Sequence, residues 1–165
     1  MNHIKRIAHG DMEALGILYE AYKTPVYRLV FSMTGSRVLA EDITQDTFLR
    51  IQEKAGTYRH NTGEASWIFT IARNLTYDAL RRQRRESPED TDSLLQVPSA
   101  EGNPEGGTYA FLDLIGNLPA KDAEIVSLRI LGDLSFKEIG RITKLSADAC
   151  GKRYTRALNK LRRDI

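Results

Sequence analysis

The stretch Ser135–Arg163, SFKEIGRITKLSADACGKRYTRALNKLRR, decides the fold of this 165-residue chain. Ser135 followed three positions on by Glu138 forms a capping box, in which the hydroxyl accepts from the backbone ahead and the carboxylate reaches back. It predicts a short helix through Ile142. Thr143 to Ser146 is a tight break, and a last helix runs from about Ala147 to Arg163. That helix has an apolar side at Ala157, Leu158 and Leu161, and from Ala149 onward it carries Lys152, Arg153, Arg156, Lys160, Arg162 and Arg163 with no acid. A short capped helix, a tight turn and a basic amphipathic helix make the layout of a helix-turn-helix. Its second helix enters the DNA major groove with its first turns at the base edges. Lys152, Arg153 and Arg156 stand in its earlier turns, as cations suited to guanine edges, and Lys160 stands later, where phosphates are met. With the leucines turned to the core, the arginines are expected to face outward. The plain alternative is a solvated basic terminal helix.

Working back toward the N-terminus, helices are expected near 108–116 and 120–131, punctuated by Pro119 and Gly132. Before them, residues 86–107 hold three prolines, three glycines and six acids in 22 positions, with no helical or strand period. This composition is that of a flexible linker. A linker of that length spans about 26 Å end to end as a coil, from ~5–6 Å × √n, so the flanking modules can sit well apart. Residues 1–85 also read as helical. Met12, Leu15, Leu18, Tyr19 and Tyr22 follow a helical period. Thr24-Pro25 predicts a restart, with Thr24 as N-cap and Pro25 at the first helical position, closed by Gly35. Val38, Ile43, Phe48, Leu49 and Ile51 mark a third helix ending near Gly56, and residues 57–64 have turn composition. Trp67 to Leu80 is a long amphipathic helix ending in Arg81-Arg82-Gln83-Arg84-Arg85. The fold class expected is all-α: two small helical domains, residues 1–85 and 108–165, joined by an acidic linker, the second a helix-turn-helix.

The net charge is only +2. It is unevenly spread: residues 1–85 carry 13 basic and 9 acidic side chains, residues 86–107 carry none and 6, and residues 108–165 carry 11 and 7. Two basic blocks around an acidic one favour a polyanionic partner. The helix with four arginines within five residues also shows Arg73, Asn74, Tyr77 and Asp78, and Lys54, Tyr58, Arg59, His60 and Asn61 precede it. Cations interleaved with aromatic and amide groups suit opened or single-stranded nucleic acid. An ordinary surface helix whose basic end complements its dipole reads equally well. Glu41, Asp42, Gln45 and Asp46 share a helix face, a solvated face by default and a docking patch for a partner protein as the functional alternative.

Other classes are disfavoured. No phosphate-binding glycine loop is present, and His3, His9 and His60 lack metal-ligand spacing. No cofactor and no catalytic residue are expected. The single cysteine, Cys150, excludes an intramolecular disulfide and reads as a small buried residue. No apolar run is long enough for a membrane span, and no signal peptide is visible, so a cytoplasmic protein is expected.

Ala40–Arg50 (AEDITQDTFLR) resembles region 2.2 of bacterial sigma factors. Trp67–Leu75 (WIFTIARNL), running on to Asp78, Leu80, Arg81 and Arg82, resembles their regions 2.3 and 2.4. Leu118-Pro119, Leu134–Ile139, Arg156-Ala157-Leu158 and Leu161-Arg162 resemble region 4. With only these two regions and a short linker, the chain resembles an extracytoplasmic-function, or group IV, sigma factor over nearly its whole length. The resemblance implies that Glu41, Asp42, Gln45, Asp46 and Arg50 dock on core RNA polymerase. It implies that Lys54, Arg59, Asn61, Arg73, Asn74, Tyr77, Arg81 and Arg82 capture and melt the −10 promoter element. It assigns Ser146, Lys152, Arg153, Arg156 and Lys160 to the −35 element. It also implies an anti-sigma factor as a further partner, and leaves RNA synthesis to the polymerase. Two positions depart from the family's pattern: Lys144 stands where its turn carries glycine, and Gly151 where its recognition helix carries lysine. The competing readings are a helix-turn-helix regulator acting without polymerase and a helical adaptor with basic ends.

Overall fold

The computed structural model describes residues 2–59, 63–86 and 106–164; among them are eight α-helices, one 3-10 turn and no strand. The chain starts with α1 (His3–Ala8), capped by the Asn2 side chain accepting from Lys5 N at 2.9 Å. This helix was not expected from the sequence. Its six residues offer only Ile4 and Ile7 as apolar positions, too few to show a period, and it is their burial that holds it. Asp11 then caps α2 (Met12–Thr34) by accepting from Glu13 N and Ala14 N.

The restart expected at Thr24-Pro25 does not occur: α2 runs through Pro25 without interruption. An interior proline costs about 3 kcal/mol. Leu18 before it and Val26, Leu29, Val30 and Phe31 after it all bury on the same core, and each such side chain returns about 1.5–3 kcal/mol. Continuity therefore outweighs the break. Gly35, at φ 66°, ends the helix with its N–H on the Phe31 carbonyl. Ser36 caps α3 (Arg37–Lys54), a 3-10 turn follows at Ala55–Thr57, and α4 spans Glu64–Glu86. On α3 the buried Thr44 and Thr47 hydroxyls donate to the carbonyls of Ala40 and Ile43, which satisfies both inside the core.

The second group comprises α5 (Gly106–Ile115), α6 (Ala120–Ile130), α7 (Phe136–Thr143) and α8 (Ala147–Asp164). Both halves of the Ser135/Glu138 capping box are formed. Lys144 ends α7 in the left-handed region at φ 66°. The glycine this turn does require is Gly140: a Cβ there would lie 2.5 Å from the Leu145 carbonyl oxygen. Cys150 is fully buried on α8, against the Thr143 hydroxyl.

The two groups are packed together rather than apart: α4 lies on α7, and α2 meets α5 and α6. Gly132, between α6 and α7, sits against the Phe69 ring of α4; a Cβ there would be 3.3 Å from Phe69 Cζ and 2.8 Å from the Leu128 carbonyl oxygen. The linker segment 87–105 lies outside the described residues.

Candidate polymerase-docking and nucleic-acid interfaces

Helix α3 buries Ala40, Ile43, Thr44, Thr47, Phe48 and Ile51 and presents the opposite face to solvent. Glu41, Asp42, Gln45, Asp46 and Arg50 are all exposed there, with Arg50 Nε 3.6 Å from the Glu53 carboxylate. The same face carries two apolar side chains that the sequence reading placed with the core period: Val38 is 69% exposed and Leu49 58%. Their spacing to Asp42, Gln45 and Asp46 could have revealed this, since positions 38, 42, 45 and 49 share one helical face. Val38 and Leu49 thus add uncovered aliphatic surface at the edges of the acidic groups. A cleft of about 230 Å³ beside the face, between α2 and α3, is lined by Tyr19, Lys23, Tyr27, Glu41 and Gln45.

The residues read as a −10 surface fall into three places. Lys54 and Arg59 are exposed where α3 gives way to the following loop, and Asn61 lies outside the described residues. Asn74, Arg81 and Arg82 are exposed on α4, with Arg81 paired to Asp78 one turn back. Arg73 and Tyr77 instead turn toward the second helical group. Arg73 Nε and the Tyr77 hydroxyl both donate to the Glu124 carboxylate of α6, the latter at 3.0 Å, and the guanidinium lies 4.8 Å from the Tyr77 ring centroid. Burial alone lowers the Arg73 pKa, but the hydrogen bond and charge of Glu124 outweigh it and the net shift is upward. Burial, then the Glu124 carboxylate, raises that of Tyr77. Tyr22 on α2 feels the same junction: burial, then Glu64 and Glu138, push its phenol up to about 12.

On α8 the outward direction expected for the arginines holds for Arg156 but not for Arg153. Arg153 Nη1 donates to Asp122 of α6 at 3.0 Å, while Arg156 reaches the same carboxylate only at 3.8 Å and stays exposed. Asp122 is only 6% exposed, so it is Arg153 that keeps this carboxylate from standing uncompensated. Ser146 caps α8 by accepting from Ala149 N, Lys152 pairs with Asp148, and Lys160 donates to the Asn117 carbonyl. The outer face of α8 is a shallow groove of about 1100 Å³ with Gly151 and Phe136 at its floor and Lys152, Thr155, Arg156 and Asn159 along it. Thr155 and Asn159 also line this groove and, being uncharged, do not stand out in the sequence by charge. Both share the outer face with Lys152 at helical spacing, and both have side chains that bond to bases.

Comparison with known proteins places this chain in a family. The family model for Sigma-70 region 2 matches residues 18–86, and that for Sigma-70, region 4 matches residues 109–161. The ECF RNA polymerase sigma factor BldN of Streptomyces coelicolor is 32% identical over 99% of this chain, which spans 64% of BldN's length. The RNA polymerase sigma factor CarQ of Myxococcus xanthus is 31% identical over 96% of this chain and 93% of its own. Among solved structures, the sigma factor RpoE of Bartonella quintana, in complex with the anti-sigma factor NepR, shares the fold with a TM-score of 0.72 at 22% identity, covering 90% of this chain and 94% of that one.

Proposed function

The chain belongs to the ECF RNA polymerase sigma factors, the subunits that direct transcription initiation, and from that premise we propose how its parts divide the work. Residues 1–85 hold core RNA polymerase through the α3 face and capture the melted −10 element along α4. Residues 108–165 read the −35 element with α8, and residues 86–107 tether the two. On this reading Glu41, Asp42, Gln45 and Asp46, flanked by Val38 and Leu49, face the polymerase. Asn74, Arg82, Lys54 and Arg59 meet the opened strand, where stacking and backbone charge act together. Lys152 and Arg156, with Thr155 and Asn159, face the major groove, and Arg153 positions α8 by tying it to α6. The chain itself performs no chemistry; phosphodiester bond formation belongs to the polymerase. It works in the cytoplasm, where polymerase and chromosome are. An anti-sigma factor holds it inactive by covering these same faces.

The observation that supports this reading most is the coexistence of a capped helix-turn-helix with a basic outer groove and, on the other helical group, an acidic face with uncovered aliphatics. A lone regulator needs the first and has no use for the second. In vitro transcription with core polymerase on a genomic library tests it. Defined transcripts that need both the chain and the polymerase are expected. Tight duplex binding by the chain alone, with no new transcript, would favour the regulator instead.

A further inference from the structure

Gly151 stands in the second turn of α8 and is the only glycine of that helix. Packing does not require it: a Cβ there would meet Phe136 Cδ2 at 3.7 Å and Cε2 at 3.8 Å, both ordinary contacts. Glycine in a helix interior is also less stable than alanine. What glycine provides here is a gap, which leaves one edge of the half-buried Phe136 ring open to the groove along the outer face of α8. The ring itself is fixed. Phe136 is the first residue of α7, directly after the Ser135 cap. The Arg129 guanidinium lies 4.9 Å from the ring centroid and is anchored by donating to the Leu134 carbonyl at 2.8 Å. The Tyr154 ring lies 5.4 Å away at an angle of 58°. A ring held in this way has little freedom left to lose when something settles on it. The groove around it is cationic: Lys152, Arg156 and Arg163 line it, and its one carboxylate, Asp148, is paired with Lys152 at 3.0 Å.

A groove of this make-up suits a polyanion that also presents a small apolar group. Duplex DNA does so, because the C5-methyl of thymine projects into the major groove and takes apolar contacts, those of phenylalanine included. Gly151 has no side chain with which to donate or accept, so it cannot read a guanine or adenine edge; its gap is filled only by bulk. Resting on the −35 assignment above, we propose that Gly151 and Phe136 form a notch for a thymine methyl group, which makes Phe136 a specificity-determining residue although it belongs to α7. Lys152, Arg156 and Arg163 meet the phosphates, and the methyl enters the gap and rests on the ring edge. Cytosine, which has only a hydrogen at C5, leaves the notch empty. One A·T pair is thereby selected, in one orientation, at the point where α8 has no side chain of its own.

The test uses the full chain bound to core polymerase, on a promoter taken from the transcription screen with its −35 element randomised. Sequencing of the bound DNA should show thymine enriched at one position. Replacing that thymine by deoxyuridine removes only the methyl group and should weaken binding about fourfold, as the burial of one such group implies. In Gly151→Ser the Cβ covers the ring edge and the hydroxyl occupies the gap, while serine is the better helix former. This variant should lose the thymine enrichment and bind the thymine and deoxyuridine duplexes alike. Phe136→Ala removes the ring and should do the same; if it does not fold, Gly151→Ser decides. Equal binding of the two duplexes by the parent overturns the proposal, and so does a methyl effect that survives in Gly151→Ser. Enrichment of other bases without any thymine also overturns it but keeps the −35 assignment, whereas no enrichment at any position removes both.

Discussion

Arg153 shows how far a residue's chemistry can be read before its neighbours are known. In the sequence it is one of six cations on the last helix, placed where base edges are met. Its actual partner, Asp122, lies 31 positions away on α6 and is nearly buried. Removing Arg153 leaves that carboxylate with only the more distant Arg156. Arg153→Ala should therefore cost about 1–3 kcal/mol of stability, the price of an unsatisfied buried group. Lys152→Ala breaks only an exposed pair with Asp148, worth under about 1 kcal/mol, and should leave the fold intact while weakening duplex binding. Thermal melts of the two variants decide; equal melting temperatures would return Arg153 to the role of a free base reader. Gly151 is the converse case. A Cβ there would lie 3.7 Å from the Phe136 ring, in ordinary contact, so packing does not require glycine. Gly151→Ala should stabilise the chain by about 1 kcal/mol. A lower melting temperature would show that α8 is strained at this point.

At the scale of elements, what was legible was local. The capping box and the Gly35 stop each rest on residues within four positions of one another, and the long α4 and the helix-turn-helix on a period of three to four residues along one continuous stretch. The misses came where distant burial decided. Two isoleucines hold α1, and a core drawn from both sides of Pro25 keeps α2 whole. The continuity of α2 has a consequence for stability. If Pro25 lies in a helix interior, Pro25→Ala restores an N–H donor and removes a clash, and should raise stability by about 1–3 kcal/mol. If a new helix began there, proline would be at its best position and the substitution would bring no gain. Chemical denaturation distinguishes the two. Ser135→Ala should lower stability by about 1 kcal/mol through loss of the α7 cap.

For the whole molecule, the sequence made the two helical groups and the candidate faces visible, but not the way the groups meet. Glu124 reads as one more solvated acid on α6 until its two donors on α4 are seen, and Gly132 as one more turn glycine until Phe69 is found against it. The docking face was half legible: its carboxylates stood out by charge, whereas Val38 and Leu49 were hidden among core positions. If that face meets the polymerase, Asp46→Arg should change stability by under about 0.5 kcal/mol. It should weaken core binding by several kcal/mol where it meets like charge. An unchanged pull-down titration would remove the face from the interface. Everything proposed for the chain converges on promoter opening, which permanganate reactivity of −10 thymines reads directly on a promoter taken from the transcription screen. Thymines that become reactive only when core polymerase and this chain are both present, and that stay protected with Asn74→Ala, are the predicted result. Reactivity that is the same with and without the chain, or the same for the parent and Asn74→Ala, would contradict it.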